Sequence, residues 1–375
     1  MPPLTVPPAP RLAAVDGLRG LAILAVIASH AAMLLAPRVA FQRCDMLGPT
    51  WLPCDGAALV GVAVLNVQAV LVFAVLSGLV VAPAPGPDLA RRGCRLWLAA
   101  ANAGLATLAL FAIGAVDADR LARLFAPLPL SHPLESVLTA DTSLAALARL
   151  AFGLDYLGWI AGWRAASATA WPQLWCVPWL ILGWLAIAAL RRLPADLRRP
   201  AAGGCLPVLL ALSPHIGDHG ELAALLAGFA LRPLAGALPR GGALVAIAAG
   251  LAIALLPQLR QIAAPWGTAF LPPALVPLAG VVSATLIAVG FVALGRPGSA
   301  PLRWLGRRSL WVYVLHWPVL LAVATLALRW GASAQTLTVA ALVLVATPWL
   351  LAAAGSGRPS RPLAARLTPP RSRPS

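Results

Sequence analysis

Arg19 and His30 stand eleven residues apart in RLAAVDGLRGLAILAVIASH (residues 11–30), an otherwise apolar stretch that also carries Asp16. At ~100° per residue, eleven residues make three helical turns plus about 20°. The two side chains therefore share one helix face, ~16 Å apart along the axis, with Asp16 one turn before Arg19. The other faces are Leu, Ile, Val and Ala. A neutral imidazole takes up a proton near pH 7, which makes His30 a natural general base. Ionisable groups inside an apolar span are costly and face the protein interior. The same residues also suit an ion pair at a helix start and a hydrogen-bonded structural histidine.

Further polar groups interrupt other apolar runs. His316 follows Ser309 by seven residues, two turns on one face, in SLWVYVLHWPVLL. Ser77 and Gly78 break the run at 57–82, where Asn66 and Gln68 are polar as well. Arg91, Arg92 and Arg95 cluster just beyond it. The stretch SPHIGDHGE (213–221) suggests a metal site, but its spacing puts the ligands on no common helix face, and it reads as a polar loop, like His132. No metal is expected.

The elements that position these groups are membrane spans. The 375-residue chain is 60% hydrophobic and only 11% charged, against nearer half apolar and a quarter charged in a soluble domain. Its net charge of +16 does not indicate nucleic acid: all 28 basic residues are Arg, in short clusters between apolar runs, as in loops between spans. The 14 Trp suit membrane interfaces. Runs of roughly 20 apolar residues fall near 18–36, 57–82, 94–116, 172–190, 201–214, 220–236, 242–258, 273–294, 309–328 and 335–354, about ten in all, the fifth and seventh being short. The segment 145–163 carries Arg149 and Asp155 and reads as interfacial or re-entrant. With both termini inside, most Arg falls in inner segments, as the positive-inside rule requires. The reading is an all-α polytopic bundle: one transmembrane domain over 1–354 and a disordered Arg/Pro-rich cytoplasmic tail over 355–375. Cys44 and Cys54 share the first outer loop, where they either pair or stay free; five Cys make no disulfide scaffold in a chain of this size.

The pattern R-x4-DGLRGLAI…H resembles the start of membrane acyltransferase family 3, integral membrane enzymes of bacterial O-acylation. VLVFAVLSGLVVA (70–82) with the Arg cluster after it, LWCVPWLILGWLAIAAL (174–190) and PLRWLGRRSLWVYVLHWPVLL (301–321) resemble later family segments. The resemblance implies transfer of an acyl group, usually acetyl, from cytoplasmic acyl-CoA to a hydroxyl of a glycan or small molecule at or beyond the outer face. No permanently bound cofactor is implied; acyl-CoA is a substrate, and the inner membrane is the expected location. The Arg-then-His pair of the family falls on Arg19 and His30, with Asp16 and His316 as further catalytic candidates. Arg19, Arg91, Arg92, Arg95, Ser77, Gly78 and Ser309 are the candidates for holding CoA. The paired Glu that many glycan-modifying members carry in a middle span is absent from AWPQLWCVPWL (170–180), which leaves the acceptor open. A multi-span transporter or flippase is the rival reading; it predicts repeated halves, and none are seen. A catalytically inactive scaffold is the third.

Overall fold

The computed structural model describes residues 9–35, 69–80, 86–117, 119–121, 143–155, 174, 176–216, 220–263, 276–295 and 298–332. Every regular element among them is a helix. Cys44, Cys54, Asn66, Gln68, His132, His219, the run 335–354 and the tail lie outside the described residues.

The first span is one uninterrupted helix, α1 (Ala9–Leu35). It is followed by α2 (Ala69–Val80), α3 (Gly86–Ala112) and a short α4 (Leu144–Ala151) capped by the Ser143 hydroxyl. Then come α5 (Val177–Leu190), α6 (Arg198–Ile216), α7 (Gly220–Leu231), α8 (Leu234–Ala237) and α9 (Arg240–Ala263). α10 (Val276–Leu294), α11 (Ala300–Arg307) and α12 (Ser309–Arg329) complete the described chain. Among the described residues two stretches are long and apolar enough to cross a membrane, Arg91–Ala112 and Ser309–Arg329.

The fifth, sixth and seventh spans differ in extent from the sequence expectation. The two spans expected to be short are 19 and 24 residues long as α6 and α9, because Gly203, Gly204, Gly241 and Gly250 lower apolarity without ending a helix. His215 therefore lies on a helix, not in a loop. The sixth run is broken in two at Pro233: proline lacks the N–H a helix interior needs and crowds the carbonyl four residues back. The region 145–163 opens with α4, followed by an Arg149–Asp155 ion pair (Nε–Oδ1 3.6 Å) that neutralises the acid buried beneath it.

One seam governs the rest. α11 begins at Ser299, whose hydroxyl accepts from the Leu302 N–H, with Pro301 in the first turn, a start signal of the expected kind. It lies directly on α1. A Cβ on Gly306 would overlap the Asp16 carbonyl, and one on Gly20 would overlap the Leu302 carbonyl. Glycine at both positions lets the two backbones touch. The glycines of DGLRG and LGRR thus serve a common contact. A second seam joins α2 to α7, where Gly78 faces the Leu225 carbonyl and Gly228 faces that of Val75. α9 and α10 pack on each other, and the Ser283 hydroxyl donates to the Gly250 carbonyl (2.6 Å). α12 ends at Gly331 (φ 76°), whose N–H and that of Ala332 bond Leu328 and Ala327 carbonyls, closing the helix.

Candidate functional site

The α1–α11 seam fixes α1 beside α12, and this brings His30 to His316. His30 Nδ1 lies 2.6 Å from His316 Nε2. The ring planes differ by 10° with centroids 4.9 Å apart, so the imidazoles lie edge to edge in nearly one plane. His316 Nδ1 is bonded to the Tyr313 carbonyl one turn back. A carbonyl only accepts, so the proton of neutral His316 sits on Nδ1 and its Nε2 is a bare lone pair. His30 Nδ1–H then donates to it, which leaves His30 Nε2 unprotonated. Both nitrogens of His316 are engaged, whereas His30 keeps one lone pair for chemistry.

Other groups surround the pair. Trp317 packs edge-on to His30 (5.7 Å, 80°) and is 2% exposed. Its indole N–H is buried without a hydrogen-bond partner among the described residues, a costly state for a donor. The Cys176 thiol, at the start of α5, donates to the Tyr313 hydroxyl at 3.1 Å. Glu221, 3% exposed at the start of α7, lies within electrostatic reach of both. SPHIGDHGE read as a loop, yet its last residue is a buried carboxylate.

Arg19 lies two-thirds of the way down α1 toward the Arg-rich end. Its guanidinium carbon is 5.8 Å from the Phe73 ring centroid, and its Nε is buried without a hydrogen-bond partner among the described residues. Asp16 stands in the field of Arg19, Arg303 and Arg307. Arg92 is close enough to Arg19 for their charges to interact; Arg91 and Arg95 are exposed on the same helix. Arg191, just past α5, also belongs to this end: partial burial and the charges of Arg198, Arg92 and Arg232 push its guanidinium below the ordinary arginine range. Arg191 and Arg198 carried no signal in the sequence beyond membership of short Arg clusters, and the isolated Arg232 carried none.

The remaining candidates lie elsewhere in the bundle. The Ser77 hydroxyl donates to the Phe73 carbonyl in its own helix (2.9 Å), and Gly78 sits in the α2–α7 seam. Ser309 is buried at the first turn of α12, two turns below His316. The described structure thus joins His30 to His316 and groups Arg19 with Asp16 and Arg92, while Ser77 and Gly78 face packing contacts.

A family model described as an acyltransferase domain, acyltransferase family 3, matches residues 12–354. The chain belongs to acyltransferase family 3. No curated relative and no solved structure matches it. The family establishes the chain as an acyltransferase. Its members are membrane proteins, in keeping with the apolar helices described above. The rival transporter reading finds no support in this match.

One consequence concerns Tyr313. Its backbone carbonyl, not its hydroxyl, holds His316. Tyr313→Phe removes the acceptor of the Cys176 thiol and leaves the carbonyl that holds His316, so we expect a stability loss of about 1 kcal/mol and acyltransferase turnover within a few-fold of the parent. Thermal unfolding in detergent and a turnover assay together check this. A large activity loss with unchanged stability would place the hydroxyl in the reaction.

Proposed function

We propose that the chain is a multi-pass O-acyltransferase of the bacterial inner membrane, with about ten spans and both termini cytoplasmic. It would take an acyl group, acetyl in the simplest case, from cytoplasmic acyl-CoA and pass it to a hydroxyl of a glycan or small molecule at the outer face. The observation that carries the reading is the bonded His30–His316 pair at one end of a polar stripe that Arg19 opens at the other.

The chemistry follows from the nitrogen assignment. His30 Nε2 takes the proton of the acceptor hydroxyl as its oxygen attacks the thioester carbonyl. The imidazolium so formed keeps its Nδ1–H bond to His316 Nε2, which steadies the new charge. The indole N–H of Trp317 is a donor available to the developing oxyanion. When the C–S bond breaks, the His30 imidazolium returns its proton to the thiolate, and CoA leaves as the thiol. Arg19 with Arg92 would hold the donor's phosphates, a task for which the planar guanidinium fork is suited. The CoA arm between diphosphate and sulfur has about twelve bonds, equal to about four peptide residues or ~14 Å extended. This is close to the ~16 Å between Arg19 and His30 on α1.

Thioester cleavage of labelled acetyl-CoA by protein in nanodiscs tests the reading. Release by the parent chain, with Arg19→Leu raising KM by about tenfold or more and lowering kcat less, is the expected result. An Arg19→Leu effect confined to kcat would move Arg19 from donor binding to the reacting centre. No release and no acetyl-CoA binding by the parent would overturn the reading.

A further inference from the structure

A cavity lies on the α1 face between Arg19 and His30. Ile23 and Val26 line it from α1, Phe73 from α2, Cys176 and Leu180 from the start of α5, and Tyr313 from α12. On α1 these positions lie about 20° to either side of the Arg19–His30 stripe, at heights of ~6 and ~10 Å above Arg19. Its walls adjoin the site at both ends: Phe73 underlies the Arg19 guanidinium, and Tyr313 supplies the carbonyl that holds His316.

Its chemistry is narrow. Among the described residues the polar side chains in its wall are Cys176 and Tyr313, and they bond each other. An amide or sugar hydroxyl placed there would lose most of its water hydrogen bonds, at a cost of several kcal/mol. The two amides of the CoA arm therefore stay toward Arg19, and an acceptor glycan is excluded. The part of the donor with no such groups is its thioester end, the mercaptoethyl carbons, the sulfur and the acyl tail.

Resting on the acyl-CoA reading above, we propose that this cavity is the acyl chamber: it seats the thioester end of the donor below His30 and limits the length of the acyl chain. Leu180 and Val26 are bulky residues of its wall. The occupant is a short unbranched acyl group, and each added methylene meets a wall, not open space. Pockets of this kind discriminate a single methylene by about 10–200-fold.

The test compares thioester release from acetyl-, propionyl-, butyryl- and hexanoyl-CoA by the full chain in nanodiscs. The parent should favour the two shortest, falling by about tenfold or more at butyryl. Leu180→Ala should raise the butyryl-to-acetyl ratio by about tenfold; Val26→Ala, a smaller truncation less prone to misfolding, should raise it by a few-fold. Release that is dependent on His30 but whose chain-length profile neither variant moves would overturn the chamber while leaving the acyltransferase chemistry intact. Absence of release from every acyl-CoA by the parent would instead bring down the donor assignment, and the chamber with it.

Discussion

His30→Ala should lower acyl release by about 10²–10⁴-fold, the usual contribution of a positioned general base, while the purified protein keeps its helical content. The reason is the direction of the hydrogen bonds. The Tyr313 carbonyl fixes the His316 proton on Nδ1, and His316 Nε2 then takes the His30 proton. Only His30 Nε2 remains to accept from a substrate. His316 acts through His30, so it is a positioning residue with a distinct signature. His316→Ala should cost about 10²-fold, and the double variant should be no slower than His30→Ala alone, because groups that act as a unit are non-additive. A His316→Ala loss that multiplies with that of His30→Ala would mean that His316 contacts the substrate by itself. Parent-level release by His30→Ala would remove the imidazole from the chemistry altogether.

The sequence carried one half of this site and not the other. The Arg19–His30 stripe depends only on the helical period, and α1 is an unbroken helix over Ala9–Leu35. The partner of His30 is 286 residues away, and no local pattern encodes such a pairing. The two segments of greatest family resemblance, DGLRG and LGRRSLWVYVLHWPV, turn out to pack on each other. Their glycines are visible as letters, but their purpose is visible only when the helices meet. α11 has a start signal in Ser299 and Pro301, but it falls between the spans expected at 273–294 and 309–328. Glu221 was hidden for a related reason. It follows a run of His, Asp and Gly that reads as polar, whereas Gly220 starts α7 against Leu71 and carries the acid inward. Trp317 gave no signal apart from being one more aromatic in a Trp-rich chain; its buried, unpartnered indole N–H appears only in three dimensions.

The second large effect is structural. Gly306→Val should destabilise the protein by about 3 kcal/mol, the upper end for overpacking, and should sharply reduce the yield of folded material. The clash is with backbone: the new Cβ would overlap the Asp16 carbonyl and approach the Gly20 nitrogen to 3.0 Å. No side chain can rotate away to relieve it, so α11 must lift off α1. Gly204→Ala is the control. Nothing lies within 4 Å of its Cβ position, it is exposed on α6, and removing a helical glycine should add about 0.5–1 kcal/mol. Thermal unfolding of the two variants in detergent beside the parent measures both signs at once. The seam also sets function, because Arg19 adjoins Gly20 and α12 follows α11 after a single residue, Arg308. A shift of α11 therefore moves His316 relative to His30, and whatever folded Gly306→Val protein is recovered should turn over more slowly per molecule. Gly306→Val with parental stability would show that the α1–α11 backbones do not touch, and the joining of His30 to His316 would need another cause.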